Sequence, residues 1–348
     1  MKKILIISSA SIHTKKFIDM MRGKYKIYVI TDKKEIFETC ETEAVYEWKK
    51  HPVANAFYTK KIVKEIEPDL VHIHQVGLIA FYYIFLLHRH CRILLTAWGS
   101  DVMEFPYTGP IRHRMTTYSL QRASVLSSIN SVGMISVIKC LTGFKREVLP
   151  INFGIGEFIE FEEKIENKEQ IIYSPRSHQD LYNIEMILRS FAQFVKKEPH
   201  WKLLLSGAED PVNTPRFKQI VKEAGIAEKT EFLGHISQQE HAAIMKRSRI
   251  VISVPVTDGR PISVMEAIAS NCTLVCSDIL ANRELVSEGV NGVIVDHTRI
   301  FDIGLYRQID PALQTQYNRK ISRPFRYETA KQEFLKTLEG VIHDDNHR

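Results

Sequence analysis

The sequence predicts an α/β protein built from two doubly wound domains in tandem. Short strand-like apolar runs alternate with helical stretches along the chain, the pattern of parallel strands joined by crossover helices. The alternation breaks at a charged stretch from Glu157 to Glu169, poor in core-forming residues, and then restarts. A chain of 348 residues is also long for one compact unit and ordinary for two.

The elements follow in order. After Met1-Lys2-Lys3, the run Ile4-Leu5-Ile6-Ile7 is too short for a signal peptide and has no small-residue cleavage site after it, so Lys3 to Ser8 is expected as a buried first strand. Further first-half strands are expected at Tyr25 to Thr31, Leu70 to His74, Ile93 to Ala97 and Val125 to Ser128, with helices at Lys15 to Arg22 and Val53 to Ile66. Second-half strands are expected at Gln170 to Tyr173, Lys202 to Ser206, Thr230 to Phe232, Ile250 to Val254, Leu274 to Cys276 and Gly292 to Val295. Helices fit Ile184 to Lys197, Pro215 to Ala224, Gln238 to Arg247 and Pro261 to Ser270, and two more close the chain near Pro311 to Ser322 and Tyr327 to His343. This gives an N-terminal domain over 1–156, a linker over 157–169, a C-terminal domain over 170–310, and closing helices over 311–348 that pack back toward the N-terminal domain. The facing strand ends of two such domains are expected to form a ligand cleft.

Composition narrows the function. With 44% hydrophobic and 25% charged residues the chain is of globular type. Five scattered cysteines without a CxxC pair support neither a disulfide framework nor a zinc knuckle, so a reducing, cytoplasmic setting is expected. The longest apolar run, Val76 to Leu87, is about half of the ~20 residues that span a bilayer. Basic residues are not interleaved with stacking aromatics, which argues against nucleic acid. Cationic clusters at His88 to Arg92, Arg112 to Arg114 and Lys139 to Arg146 leave two readings open: a solvated surface, or a peripheral seat on the anionic inner face of a membrane.

One stretch carries chemistry. Val251 to Ala267 reads as strand, loop and helix, with Pro261 suited to the first helical turn and Asn271 to a left-handed end. The backbone N–H groups of Ile262, Ser263 and Val264 then lack intrahelical acceptors and, with the helix dipole, form a seat for a phosphate or diphosphate. Gly259 allows close approach. Glu266, a turn further on, can accept from ribose hydroxyls, and Asp258 from a sugar. A plain capped helix, with Asp258 serving the dipole and Glu266 solvated, fits the spacing equally well.

Asp258 and Glu266, with Gly259 and the Glu266-Ala267 pair, resemble the acidic E-x7-E motif of retaining glycosyltransferases of the GT-B fold, specifically the large family four, though the first acid here is Asp. Further landmarks fall in that family's order: Ser11-Ile12-His13-Thr14, Pro68 to His74, Thr96-Ala97-Trp98-Gly99-Ser100-Asp101, Ser174-Pro175-Arg176, Phe232 to His235, and Glu288 to Gly292. The resemblance spans nearly the whole chain. It implies two Rossmann-like domains, a donor nucleotide on the C-terminal one, an acceptor on the N-terminal one, retention of anomeric configuration, and no metal or other cofactor.

By position the resemblance puts Glu266 on the donor ribose, Asp258 on the transferred sugar, Arg176 on the diphosphate, and Gly234 and His235 against the nucleobase. Three departures matter. Tyr182-Asn183 stand where relatives often place a lysine, so Arg260 or His178 is expected to help Arg176. Trp98 takes a slot where many members carry a histidine, leaving its role to Asp101, His74 or His13, with Ser100 nearby. The N-terminal loop is not glycine-rich, and Ser9, Ser11 and Thr14 offer hydroxyls instead. The expected activity is transfer of a hexosyl or N-acetylhexosaminyl group from a nucleotide sugar, a UDP-sugar favoured, to a saccharide or lipid-linked saccharide in surface polysaccharide or glycoconjugate assembly. A nucleotide-sugar 2-epimerase and a non-catalytic donor-binding subunit share the architecture and are the alternatives.

Overall fold

The structure, a computed structural model, describes residues 1–129 and 131–343. The chain folds as two compact units, Met1–Phe153 with the segment from Ala330 onward, and Gly154–Thr329. The first unit holds seven parallel strands: β1 (Lys3–Ile7), β2 (Lys26–Thr31), β3 (Ala44–Glu47), β4 (Leu70–His74), β5 (Ile93–Ala97), β6 (Val125–Ile129) and β7 (Val148–Ile151), in the order β3-β2-β1-β4-β5-β6-β7. From Ile4 to Ile7, β1 is fully buried, as a strand covered by helices on both faces must be.

Two of these strands escape the sequence reading, and both are edges. β3 is four residues, none fully buried, so no apolar run announces it. β7 contains Pro150, which a central strand disfavours and an edge tolerates. The apolar run beyond β4 forms the helix Leu78–Leu87, whose Ala80, Tyr83, Ile84 and Leu87 are buried while Leu78 and Phe85 face outward. No helix among the described residues is long and apolar enough to cross a membrane.

The second unit holds six parallel strands: β8 (Glu169–Pro175), β9 (Lys202–Ser206), β10 (Thr230–Gly234), β11 (Ser248–Ser253), β12 (Thr273–Ser277) and β13 (Gly292–Val295), in the order β10-β9-β8-β11-β12-β13. Their side chains alternate between two apolar layers. Ile172, Leu203, Leu205, Ile250 and Ile252 pack on one face with Ile184, Ile187, Leu188 and Phe191 of the helix Ile184–Lys197. Tyr173, Leu204 and Val251 face the other side, with Val264, Met265 and Ile268 of the helix Ile262–Ala269 and Met245 of the helix Gln238–Arg247. The strand period of two decides which residues share a layer with the site.

Two boundaries differ from expectation. The segment 157–169 lies within the second unit, and it is pinned rather than free: Ile165 is buried, its carbonyl accepts from Arg249 at 2.8 Å, and the Glu162 carbonyl accepts from Asn271 at 2.9 Å. The helix Pro311–Ser322 also stays with the second unit, through Thr273 donating to Gln314 at 2.8 Å and Asn291 donating to Asn318 at 3.1 Å. Only the last helix, Tyr327–His343, carries the chain back to the first unit, where Phe334 meets Phe17 edge-on at 4.8 Å.

Candidate functional site

In the second unit the strand order reverses between β8 and β11, and the carboxyl ends flanking such a reversal form the crevice where ligands bind in open α/β sheets. Arg176 directly follows β8, and the loop after β11 leads through Asp258 into the helix Ile262–Ala269. Arg176 donates from Nη2 to Asp258 Oδ2 at 2.9 Å and from Nε to Ser253 Oγ at 3.0 Å, and its guanidinium lies 5.1 Å from the centre of the Tyr182 ring. Tyr182, standing where relatives often place a lysine, therefore supports the one arginine rather than adding a second charge. The loop bearing Arg176 runs so close to Gly207 that a Cβ there would sit 2.6 Å from the Arg176 carbonyl carbon.

The helix start departs slightly from the expected one. Pro261 is the N-cap rather than a residue of the first turn. Val264 and Met265 both donate to the Pro261 carbonyl, at 3.1 and 3.2 Å, so the Val264 N–H is engaged within the turn, and among the described residues those of Ile262 and Ser263 are left at the mouth. The Ser263 hydroxyl beside them is buried with no hydrogen-bond partner among the described residues. At the other end Asn271 takes a φ of 58°, with Asn271 N–H bonded to Ile268 O and Cys272 N–H to Ala267 O, the paired bonds of a Schellman ending.

The plain capped-helix reading has Glu266 solvated, whereas the structure buries it. Its Oε1 accepts from Gly156 N–H at 3.1 Å and its Oε2 bonds His241 Nε2 at 3.0 Å. Asp258 likewise is not a free dipole partner but the acid of the Arg176 ion pair, both side chains mostly covered. A buried carboxylate on the helix, a hydroxyl without a partner in its first turn and an arginine paired to the loop that leads into it are groups of the kind that hold anions.

Other predicted donor residues fall differently. Gly259 is buried in the loop. Arg260 sits 3.6 Å from Glu284 with its guanidinium 5.8 Å from the Phe325 ring centre, so it is held by the protein there, and burial pulls its pKa below the usual value. His178 does not help Arg176 either: it is fully buried, bonded to Thr214 Oγ1 at 2.7 Å between Phe217 and Phe232. Gly234 ends β10 and accepts from Gly207 N–H at 2.8 Å, leaving His235 exposed beside it.

In the first unit the order reverses about β1 and β4, and the carboxyl ends of β1, β4 and β5 gather His13, His74 and Trp98. His13 stacks on Trp98 at 4.9 Å between centroids, and His74 stacks with Trp98 at 5.7 Å. His74 does not present itself to a substrate: it is buried among Phe17, His72 and Trp98, and burial first, then the neighbouring histidines, hold its pKa well below the ordinary range. Asp101, expected as a catalytic residue, is buried between two loops. Its buried carboxylate accepts from the backbone N–H groups of Val76 at 2.8 Å, Gly99 at 2.7 Å and Trp98 at 3.1 Å, which ties together the loops after β4 and β5. Burial raises its pKa while those same N–H groups oppose the rise. Ser100 is exposed at the start of the short helix Ser100–Met103.

Sequence reasoning missed Gly156, Tyr173, Ser206, Gly207 and His241. None has a spacing signal, because each reaches the site through a fold contact distant in sequence, 110 residues in the case of Gly156 and Glu266.

Comparison with known proteins agrees with this geometry. Residues 156–319 match the family model "Glycosyl transferases group 1" and residues 3–130 match "Glycosyl transferase 4-like". The chain thus belongs to the GT4-type glycosyltransferases of GT-B architecture. A GDP-mannose:cellobiosyl-diphosphopolyprenol alpha-mannosyltransferase from Xanthomonas oryzae pv. oryzae is 27% identical over 106 residues, 30% of this chain and 28% of the relative. A similar enzyme of the same description from Xanthomonas campestris is 28% identical over 104 residues, so the matched region spans little more than a quarter of these curated relatives. Among solved structures, Anabaena HepE in complex with UDP superposes with a TM-score of 0.80 over 98% of this chain and 100% of that one, at 14% identity. Sucrose-phosphate synthase from Thermosynechococcus elongatus does so at 0.77 over 98% and 99%, at 13% identity. At such identities these likenesses speak for the fold alone.

Proposed function

We propose that this glycosyltransferase moves a hexosyl or N-acetylhexosaminyl group from a UDP-sugar to a saccharide or lipid-linked saccharide, with retention and without a bound metal. The observation that carries the donor half is the helix mouth of the second unit. There the helix start with the N–H groups of Ile262 and Ser263, the unpartnered Ser263 hydroxyl, and Arg176 paired to the loop acid Asp258 all follow the carboxyl ends of β8 and β11. Those groups suit the two negative phosphates of a nucleotide sugar, and Glu266 suits the ribose next to them. A related protein has been solved with UDP and another is described as using GDP-mannose, which supports a nucleoside-diphosphate donor.

In the proposed step the bond from C1 of the sugar to the diphosphate oxygen breaks while the acceptor oxygen bonds C1 on the same face. The acceptor's proton passes to a phosphate oxygen. Arg176 and the helix N–H groups stabilise the charge gathering on the leaving diphosphate, and Asp258 is released from Arg176 toward the sugar hydroxyls. No protein nucleophile takes part, so no glycosyl adduct forms on an Asp or Glu.

A thermal-shift panel of UDP, GDP, ADP and their hexose conjugates, run in EDTA, tests the donor half. UDP and a UDP-sugar should raise the melting temperature with concentration, and at a hundred times Kd the gain is about 2.7 kcal/mol. Glu266→Ala should reduce that gain, by the share the ribose contributes. Equal shifts in wild type and Glu266→Ala, or no nucleotide response in either, would remove the assignment.

A further inference from the structure

We propose that His241 is a positioning residue for the donor site: it locks the Glu266 carboxylate into the orientation that accepts ribose hydroxyls, and is itself locked by Tyr173 and Ser206. The inference rests on the reading of Glu266 as the ribose acceptor and adds to it the device that aims that carboxylate.

The geometry is a chain of bonds ending on Glu266. Ser206 Oγ lies 2.6 Å from Tyr173 Oη, Tyr173 Oη lies 2.8 Å from His241 Nδ1, and His241 Nε2 lies 3.0 Å from Glu266 Oε2. Proton requirements give it one direction. An ionised carboxylate only accepts, so His241 Nε2 must carry the hydrogen, and in the neutral ring Nδ1 is then an acceptor. Tyr173 has to donate to Nδ1, which leaves its oxygen to accept from Ser206. Burial of Tyr173, reinforced by the charge of Glu266, pushes its pKa above the ordinary value and keeps the hydroxyl protonated as that donor. The hydrogen-bond direction therefore selects the His241 tautomer, and the tautomer selects a donor for Glu266.

The elements are arranged to hold this chain still. Tyr173 on β8 points into the apolar layer shared with the helix Ile262–Ala269, which carries Glu266. His241 sits in the first turn of the helix Gln238–Arg247, whose start is fixed by a capping box between Ser237 and Glu240. Its far end is fixed by the mostly buried Lys168, which donates to the Lys246 carbonyl at 2.9 Å. The helix cannot rotate without breaking both ends. Gly156 N–H grips the other oxygen of Glu266, so the two bonds define the plane of the carboxylate. A carboxylate has about four acceptor positions, and two bonds orient it without by themselves exhausting that capacity.

This assigns His241 a specific effect: it sharpens the preference for a ribose over a sugar lacking both hydroxyls. The test is titration of UDP and 2′,3′-dideoxy-UDP against wild type, His241→Gln, His241→Asn, Tyr173→Phe and Glu266→Ala, with circular dichroism on each to confirm folding. A glutamine places an amide N–H near the position of Nε2 and should keep the wild-type preference. Asparagine reaches only the position of Nδ1 and should reduce that preference about tenfold, as for one bond to a charged acceptor. Tyr173→Phe should reduce it less, by freeing the tautomer. If Gln and Asn behave alike, or if both keep the preference while Glu266→Ala loses it, the positioning role is wrong and the ribose reading survives. If Glu266→Ala keeps the preference as well, the ribose reading itself falls. An Asn variant that does not fold leaves Tyr173→Phe to decide, since full preference there also overturns the proposal.

Discussion

His72 and His74 lie two residues apart on β4, so both rings project from the same face of the sheet, with centroids 4.1 Å apart. His72 is bonded through Nε2 to Thr96 Oγ1 at 2.7 Å, and burial alone takes its pKa from the ordinary 6.5 down to about 3. His74 is displaced in the same direction by burial and by the proximity of His72 and His13. The folded unit therefore refuses protons that the unfolded chain accepts. The contribution of His72 is full above pH 6.5 and declines as pH falls from there toward about 3, by up to about 1.4 kcal/mol per pH unit, and His74 adds a loss of the same sign. His72→Gln, which can still meet Thr96 but does not titrate, should flatten that slope. Urea midpoints of the first unit at pH 7.5 and pH 5 measure it, and an unchanged slope in the variant would show that other groups drive the loss. None of this was legible in the sequence, where His74 read as a candidate for substrate and His72 as a landmark. Periodicity shows that the two share a face, but not that Phe17 and Trp98 cover one of them.

At the scale of elements, legibility followed burial. β4, β5 and β9 were readable to the residue because a strand covered on both sides is written as a short apolar run, and so was β13, an edge whose Gly292, Val293 and Val295 are buried. The edges β3 and β7 were not, since an edge is free to carry polar residues and proline. The site divides similarly. The helix mouth at Asp258 to Ser263 is local and could be read, apart from Val264, whose N–H the Pro261 carbonyl takes up. The grip on Glu266 and the seat of Arg176 are made by other elements and could not be. Gly207 shows how an element boundary serves the site. It holds a φ of 134° where β9 ends, and its missing side chain lets the Arg176 backbone pass within reach. Gly207→Ala would place a methyl group 2.6 Å from backbone atoms that cannot swing away, in addition to a backbone strain of about 1–3 kcal/mol. The variant should lose stability by at least that much and bind UDP more weakly, because the loop moves and carries Arg176 with it. Urea unfolding and UDP titration report the two effects, and wild-type values in both would show that the close approach is unimportant to the site.

At the scale of the whole molecule, the chain enters the second unit at Gly154 and leaves it after Thr329, so the first unit is assembled from two distant stretches of sequence. The last helix, Tyr327–His343, supplies Ala330, Phe334, Leu335, Leu338 and Val341 as a buried stripe at helical spacing. Phe334 is its anchor, since its ring meets Phe17, which in turn touches His74, Trp98 and Phe153. The aromatic cluster at the carboxyl ends of β1, β4 and β5 is thus completed by residues nearly the whole chain away. Phe334→Ala should cost about 3–5 kcal/mol, as for an aromatic ring lost from a packed core. Because two units need not unfold in one step, a single melting temperature does not localise that cost, whereas hydrogen exchange read peptide by peptide does. Protection should fall first in β1, β4, β5 and the helix Ile12–Met21, while the strands β8 to β13 keep theirs and UDP still protects the helix Ile262–Ala269. Equal loss of protection in both units would mean that the returning helix stabilises the molecule as one cooperative body rather than closing the first unit alone.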